Sequence, residues 1–369
     1  MNERDYWLGF SVFSGIGPHK FSKLLKTFGS AKKTWHSSEK ELASVLGKKL
    51  SDQFFGFRIK FSIENYSKKL EKENVWFTTL KENGYPHYLS KINNPPFVLY
   101  GKGLKFNKWD KEEIEKTIGI VGARRTTQYG RDVTKFFSSR LTASGFTIVS
   151  GLAMGVDAVS HMSALESGGK TIAVLGCGVD CCNPRENFSL YKKIIEGEST
   201  IISELPVSHP PNRGSFPQRN RIIAGLSLGV LVTEGGEDSG SLITADYAFK
   251  NNRKVFAVPG PITSSLSKGP YKLIQKGAKL VTSAEDILNE LKITNSKSQA
   301  PNKSQNAKFK TETKEEEEIL KILENESLHF DEIVRRSNFD SSKVGSLLSI
   351  MEIKGLIKNT DGGFYSIAS

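Results

Sequence analysis

Residues Asn212–Ala248 read NRGSFPQRNRIIAGLSLGVLVTEGGEDSGSLITADYA, and this stretch decides the fold. Arg213, Arg219 and Arg221 stand beside one aromatic residue, Phe216. A β-branched run, Gly229 to Thr233, leads into a glycine- and serine-rich turn that opens a helix reaching Tyr247. Guanidinium groups that grip phosphate, a ring able to stack on a base and unpaired amides at a helix start form a set suited to a nucleic-acid strand.

The same strand–turn–helix unit recurs outward from this stretch. Apolar runs occur at Ile118–Val121, Phe146–Val149, Thr171–Leu175, Thr200–Ile202, Gly229–Val232 and Val255–Val258, with polar-faced helical stretches between them. That rhythm implies an α/β domain built on a doubly wound parallel sheet, with right-handed crossovers and helices on both faces. Its turns are GARRTTQYG (Gly122–Gly130), SGLAMGVD (Ser150–Asp157), GCGVD (Gly176–Asp180) and EGGEDSGS (Glu234–Ser241). In such a sheet they share the carboxyl edge, where ligands bind and helix starts attract anions. Gly122, Gly151 and Gly240 would let backbone approach a phosphate, and Arg124 and Arg125 lie in the first turn. G-A-R-R is not the G-x-G-x-x-G of dinucleotide sites, so no nicotinamide or flavin cofactor is expected.

The flanks differ in character. Residues 1–72 show helical spacing, as in Phe21, Leu24, Leu25 and Phe28, around a Gly15-Ile16-Gly17-Pro18 turn. The turn suits either a helix–hairpin–helix unit that offers amides to DNA phosphate or a plain helical bundle. The α/β domain is expected over 73–291, entered by strand candidates Val75–Phe77 and Phe97–Tyr100 and a strap in which Pro86, Pro95 and Pro96 forbid a long helix. Residues 292–314 read as a flexible linker rich in Ser, Asn, Lys and Gln. Residues 315–369 hold three helical patterns and a hairpin around Thr360-Asp361-Gly362-Gly363, the pattern of a winged helix.

Charge is distributed unevenly. The chain carries a formal +12, yet 315–369 hold eleven acidic and six basic residues, a net of −5, which leaves about +17 on 1–314. The winged helix is therefore poorly suited to a DNA groove, and a protein-interaction role fits it at least as well. The amino terminus is too polar for a signal peptide and no run is long enough to cross a membrane. Cys177, Cys181 and Cys182 offer neither a disulfide framework nor a zinc set, which points to the cytoplasm and to no metal.

IVGARRTTQYG, VSGLAMGVDAVSH, AVLGCGVD, FPQRNRIIAGLS, SGSLITA, VFAVPG and KGPYKLIQKGAKLV, in that order, resemble the DNA processing protein A family, also called Smf. The resemblance implies an extended Rossmann-like domain with an N-terminal helical domain of SAM or helix–hairpin–helix type. It implies a non-enzymatic, homodimeric protein that binds and protects incoming single-stranded DNA and promotes loading of RecA recombinase in natural transformation. Carried over, the DNA site would use Arg124, Arg213, Phe216, Arg219, Asn220, Arg221, Ser239 and Ser241, and the dimer contact would lie near Tyr271, Leu273 and Leu280. Ala123 departs from the serine common there, Cys181-Cys182 from an aromatic, and Gly235-Gly236 from alanines.

Each residue also has a plainer reading. Arg124 and Arg125 could pair with acids across the sheet edge, and Phe216 could be core. Arg219 and Arg221, two apart on a helix, cannot share one face, so one would meet the ligand and the other brace the fold by an ion pair. Asp157 and His161 read as a capping or packing pair, and Ser239 and Ser241 as hydrogen-bonding residues of a helix start. The alternative function is a base–ribose hydrolase. EGGEDSG is similar to the P-G-G-x-G-T-x-x-E loop of such enzymes but lacks its Pro, Thr and trailing Glu.

Overall fold

The structure is a computed structural model, and it describes residues 1–292, 313–323, 326–360 and 363–367. The expected linker, 292–314, lies outside the described residues except at its two ends. The chain divides into two compact units, Met1–Asn295 and Ser296–Ser369.

The first unit begins with six helices: α1 (Glu3–Val12), α2 (Pro18–Phe28), α3 (Ala31–His36), α4 (Glu39–Leu46), α5 (Lys48–Lys60) and α6 (Ile63–Lys72). Local chemistry sets their starts. Asn2 and Ser38 close capping boxes with Asp5 and Glu41, and Pro18 occupies the first turn of α2. Gly15, at φ +121°, makes the turn between α1 and α2 in a conformation that disfavours any side chain. Rings fill the bundle core: Phe10 stacks on Phe54 at 4.9 Å, and Trp7 meets Phe21 edge-on at 4.8 Å. Phe21 in turn stacks on Phe97 at 4.2 Å, so the bundle shares its core with the start of the sheet.

The sheet has nine strands: β1 (Trp76–Thr79), β2 (Val98–Gly103), β3 (Thr117–Val121), β4 (Thr147–Ser150), β5 (Thr171–Val174), β6 (Thr200–Ser203), β7 (Gly229–Val232), β8 (Lys254–Ala257) and β9 (Lys279–Leu280). Their spatial order is β1-β2-β6-β5-β4-β3-β7-β8-β9. β3 to β9 run parallel, as the β-branched runs imply, while β1 and β2 join antiparallel at one edge. From β3 the chain winds outward through β4, β5 and β6, then returns and winds the other way through β7 and β8. The reversal between β3 and β7 opens a crevice at their carboxyl ends.

Short helices α7 (His87–Ser90) and α8 (Lys111–Glu115) lie in the strap around β2. The crossovers are α9 (Gln128–Ala143), α10 (Val156–Glu166), α11 (Phe188–Glu196), α12 (Ser215–Leu226), α13 (Gly240–Lys250), α14 (Lys268–Gln275) and α15 (Ala284–Glu290). Alternation along each strand sorts them onto two faces. Val121, Val149, Val174, Val230 and Val232 pack with α12 and α13, whereas Ile118, Ile120, Ile148 and Leu231 pack with α9, α10 and α15.

The second unit has helices α16 (Lys314–Ile322), α17 (Phe330–Ser337) and α18 (Ser341–Ile353), and strands β10 (Leu328–His329), β11 (Ile357–Thr360) and β12 (Phe364–Ile367) in the order β10-β12-β11. This is the expected winged helix, with a further short strand, β10. Ile319, Ile333, Val344, Leu348 and Met351 form its core. Thr313 caps α16, and Glu315, Glu316 and Glu317 lie in its first turn, where the macrodipole favours them.

One glycine on β2 offers a direct test of the packing. Trp76 lies across Gly101, and a Cβ there would sit 2.2 Å from the indole ring, which its own N–H tethers to the Gly103 carbonyl. Gly101→Ala is expected to cost ~1–3 kcal/mol in urea unfolding through overpacking. An unchanged midpoint would contradict this account of the edge.

Candidate nucleic-acid interface

The crevice at the β3/β7 reversal is a cleft of about 500 Å³. Its lining includes Gly122 and Arg124 from the first turn, Arg213, Phe216, Arg219 and Asn220 around the start of α12, and Ser239, Gly240 and Ser241 at the start of α13. Two helix N-termini thus open onto one space, together with three of the chain's arginines.

Backbone and buried acid hold these loops in place. Glu234 is 2 % exposed, and its carboxylate accepts from Thr126 Oγ1 (2.7 Å), Thr127 N (2.9 Å) and Thr127 Oγ1 (2.6 Å). The Glu234 carbonyl accepts from Ala123 N, and the Ala123 carbonyl from Val156 N. The arginine-bearing turn is therefore fastened to the loops on both sides of it. Ser239 caps α13, its hydroxyl accepting from Ser241 N and lying 2.8 Å from Ser241 Oγ. Asn220 donates to the Gly240 carbonyl at 3.1 Å, joining α12 to α13 across the cleft.

The arginines divide by role. Arg124 is exposed, with its guanidinium 5.6 Å from the centroid of the half-buried Phe216 ring. Arg213 is exposed on the loop before α12. Arg219 is only 6 % exposed at the cleft floor; its Nη1 donates to the Val174 carbonyl at 2.8 Å, and its Nε is buried without a partner. Burial pushes the Arg219 guanidinium down and the nearby Asp157 carboxyl up from their ordinary values, and the attraction between them opposes both shifts. Asp157 in turn accepts from Gly151 N and Ala153 N, which pins the loop after β4.

Several expected site residues lie elsewhere. Arg221 is the brace of the α12 pair: it is tied to Glu204 and turned away from this cleft. Arg125 is exposed and is not among the residues lining the cleft. Gly151 gives no approach to a phosphate, because the space beside it is filled; a Cβ there would sit 1.6 Å from Arg219 Nη1. Of the residues expected near a dimer contact, Leu273 is 2 % exposed and belongs to the core, whereas Leu280 is 47 % exposed and Tyr271 is half-buried, its hydroxyl donating to the Gly260 carbonyl.

Phe216 falls in the first turn of α12. Glu234 is the organising residue that sequence reasoning passed over. Its signal was an acid directly after a buried strand with two threonines in the neighbouring turn, and only spatial adjacency gives that pattern meaning.

Two tests follow from this geometry. Gly151→Ala is expected to displace the Arg219 guanidinium and lower the unfolding free energy by ~1–3 kcal/mol, while Gly240→Ala, where no atom lies within 4 Å of the new Cβ, leaves it within ~0.5 kcal/mol. Fully buried His161, hydrogen-bonded through Nδ1 to Thr171, is held at about 3 against a usual 6.5, first by burial and then by the Arg219 charge. The unfolded chain takes up this proton first. The contribution is whole above pH 6.5 and is lost as pH falls from 6.5 through 3. Melting of wild type should drop across that window, and His161→Gln should flatten the drop; parallel curves would refute the assignment.

Comparison with known proteins identifies the family. The family described as DNA recombination-mediator protein A matches residues 76–292, and the DprA winged helix domain matches 300–363. The Smf protein of Synechocystis is 39% identical over 292 residues, 79% of this chain and 73% of that protein. The X-ray structure of DprA from Streptococcus pneumoniae superposes with a TM-score of 0.68 at 34% identity, covering 79% of this chain and 99% of that one. DNA processing protein A from Helicobacter pylori, whose structure was described for its single-stranded DNA binding mode, gives a TM-score of 0.51 at 29% identity over 58% of this chain and 95% of that one. With its reversed sheet, winged helix and ordered motifs, the chain belongs to the DNA recombination-mediator protein A family, DprA/Smf.

Proposed function

We propose that this chain binds single-stranded DNA in the Arg124–Phe216 cleft without catalysing a reaction on it, protects the strand and passes it to RecA recombinase. The observation that carries this reading is the pairing of an exposed guanidinium with a half-buried ring at the mouth of two helix N-termini. Arg124 and Arg213 supply mobile cations for phosphate, Arg219 a fixed one, and Phe216 a face for a base. Gly122, Asn220, Ser239, Gly240 and Ser241 shape the walls. The single-stranded DNA mode described for the Helicobacter pylori relative supports the choice of ligand. Transfer to RecA, and a place in natural transformation, rest on the family likeness.

A homodimer is part of the same proposal. β9 is the last strand of the sheet, so among the described residues one of its edges is unpaired, and it carries exposed Leu280, shortly after the α14 helix that holds Tyr271. Three free thiols accord with work in a reducing cytoplasm, and among the described residues no helix is long and apolar enough to cross a membrane.

A base–ribose hydrolase would need a free acid in this cleft. The Glu234 carboxylate is already committed to three donors of the first turn, which weighs against it.

Gel shifts with oligo-dT and the matched duplex across a salt series test the proposal. Wild type should prefer the single strand, with a log–log salt slope of about −0.7 per phosphate contact. Arg124→Ala should weaken binding to every sequence by ~10–100-fold, and Phe216→Ala by a similar factor through lost stacking. Equal affinity for blunt duplex, or base released from nucleoside monophosphates, would defeat it.

A further inference from the structure

Residues 6–38 contain five lysines and no acid. The five stand on two successive helices of the bundle: Lys20, Lys23 and Lys26 on α2, Lys32 and Lys33 on α3. All five are exposed, whereas Phe21, Leu24, Ala31 and Trp35 of the same helices are buried. Steps of three set the α2 lysines along one side of that helix, so they form a stripe. Among the described residues none of the five ammonium groups lies in an ion pair, and their one hydrogen bond joins Lys20 Nζ to the Gly15 carbonyl at 3.0 Å. Lysines near the sheet edge behave otherwise: Lys272, Lys276 and Lys279 meet Glu237, Asp246 and Glu290.

Helix energetics does not ask for this charge. Cations near a helix start oppose the macrodipole, and like charges on neighbouring turns repel. α1, α4 and α6 follow the rule, with Glu3 and Asp5, Glu39 and Glu41, and Glu64 in their first turns. α2 and α3 have no acid there; Lys20 lies in the first turn of one, Lys32 and Lys33 in that of the other. Lys26 alone of the α2 three lies at the favoured end. Glu3 comes across from α1 to the start of α3, where its carboxylate accepts from Ala31 N and Lys32 N. One acid against five lysines leaves the face strongly positive. A local arrangement that costs helix stability marks a surface shaped for a ligand of opposite sign.

The face carries no exposed Phe, Tyr or Trp: Phe21 and Trp35 are buried and Phe28 is half-buried. Single-strand sites pair their cations with stacking platforms, as the Arg124–Phe216 cleft does. Lysines without a ring contact the backbone and read no base. Duplex DNA offers one phosphate charge per ~1.7 Å of axis, twice the density of a single strand. We propose that the α2–α3 face holds the phosphate backbone of duplex DNA adjoining the single strand in the first cleft. The inference rests on the single-strand reading of that cleft and adds a preference for DNA that is part double, part single. Position permits it. His19 and Lys20 at the start of α2 share a wall with Gln218 and Arg221 of α12, whose residues Phe216, Arg219 and Asn220 line the first cleft. The two surfaces are parted there by the width of one helix, ~10 Å.

The test uses the full chain with three ligands: oligo-dT of about 16 nucleotides, a blunt duplex, and that duplex carrying the same oligo-dT as a tail. Wild type should bind the tailed duplex ~10-fold more tightly than oligo-dT, with a salt slope steeper by about 0.9 for each added phosphate contact. Blunt duplex should bind more weakly than oligo-dT. The double variants Lys23→Gln/Lys26→Gln and Lys32→Gln/Lys33→Gln should each cut the gain from the duplex to ~3-fold or less and leave oligo-dT affinity unchanged. Both should melt no lower than wild type, because the substituted positions are exposed and their charges repel one another. No gain from the duplex in wild type, an undiminished gain in both variants, or equal loss on oligo-dT overturns the assignment. Arg124→Ala reports on the first cleft separately: it must weaken oligo-dT, and an unchanged affinity there would bring down the single-strand reading itself.

Discussion

A guanidinium threaded through the place of a missing side chain governs the rim of the sheet. Arg219 leaves α12, passes Gly151 so closely that a single methyl would collide with it, and ends on the Val174 carbonyl of β5. Asp157, facing it electrostatically, holds the loop after β4 by two amides. One buried charge thus coordinates three consecutive crossovers. A hydrocarbon there could fill the volume but could not bond the carbonyl or balance Asp157, and removing one partner of such an arrangement leaves the other uncompensated. The Glu234 carboxylate does the corresponding work on the other side of the reversal, where it gathers the first turn against the loop after β7.

With the rim so fastened, the groups free to meet a ligand are the ones left over. Arg124 and Arg213 stay in solvent, Arg219 is a fixed charge at the cleft floor, and Arg221 is spent on the fold through Glu204. That division separates capture from shape. The surface cations can rearrange around a flexible strand, and the walls beneath them do not have to. The winged helix follows a different logic: its exposed α18 positions include Ile350 and Ile353, and the one cation of that helix, Lys343, pairs with Glu315, in a segment of net charge −5. Such a face fits a protein better than a phosphate groove.

Much of this was legible in the chain. The six β-branched runs fall on β3 to β8 within a residue or two, because buried parallel strands have to be continuously apolar. β9 escaped notice because a two-residue edge strand of Lys279 and Leu280 leaves no hydrophobic signature. The parity argument for Arg219 and Arg221 separated their faces correctly, and the ion pair fell to Arg221. What parity could not supply was depth. A buried arginine and an exposed one look alike in sequence, and the cue that Gly151 exists to accommodate Arg219 spans 68 positions that only the crossovers bring together. Leu273 misled for the same reason: it is apolar and stands two residues from the half-buried Tyr271, yet the periodicity of α14 turns it inward.

Phe216 is never bare. Gly176 backs the ring, and the Arg124 guanidinium hovers over its face. A base stacked on that face, as proposed, would trade places with a cation instead of expelling a layer of ordered water. Entry is then an exchange of one weak partner for another, and the heat-capacity change of association should be smaller than the ring's area alone suggests. The cation set loose by the exchange is left beside the phosphate that came in with the base.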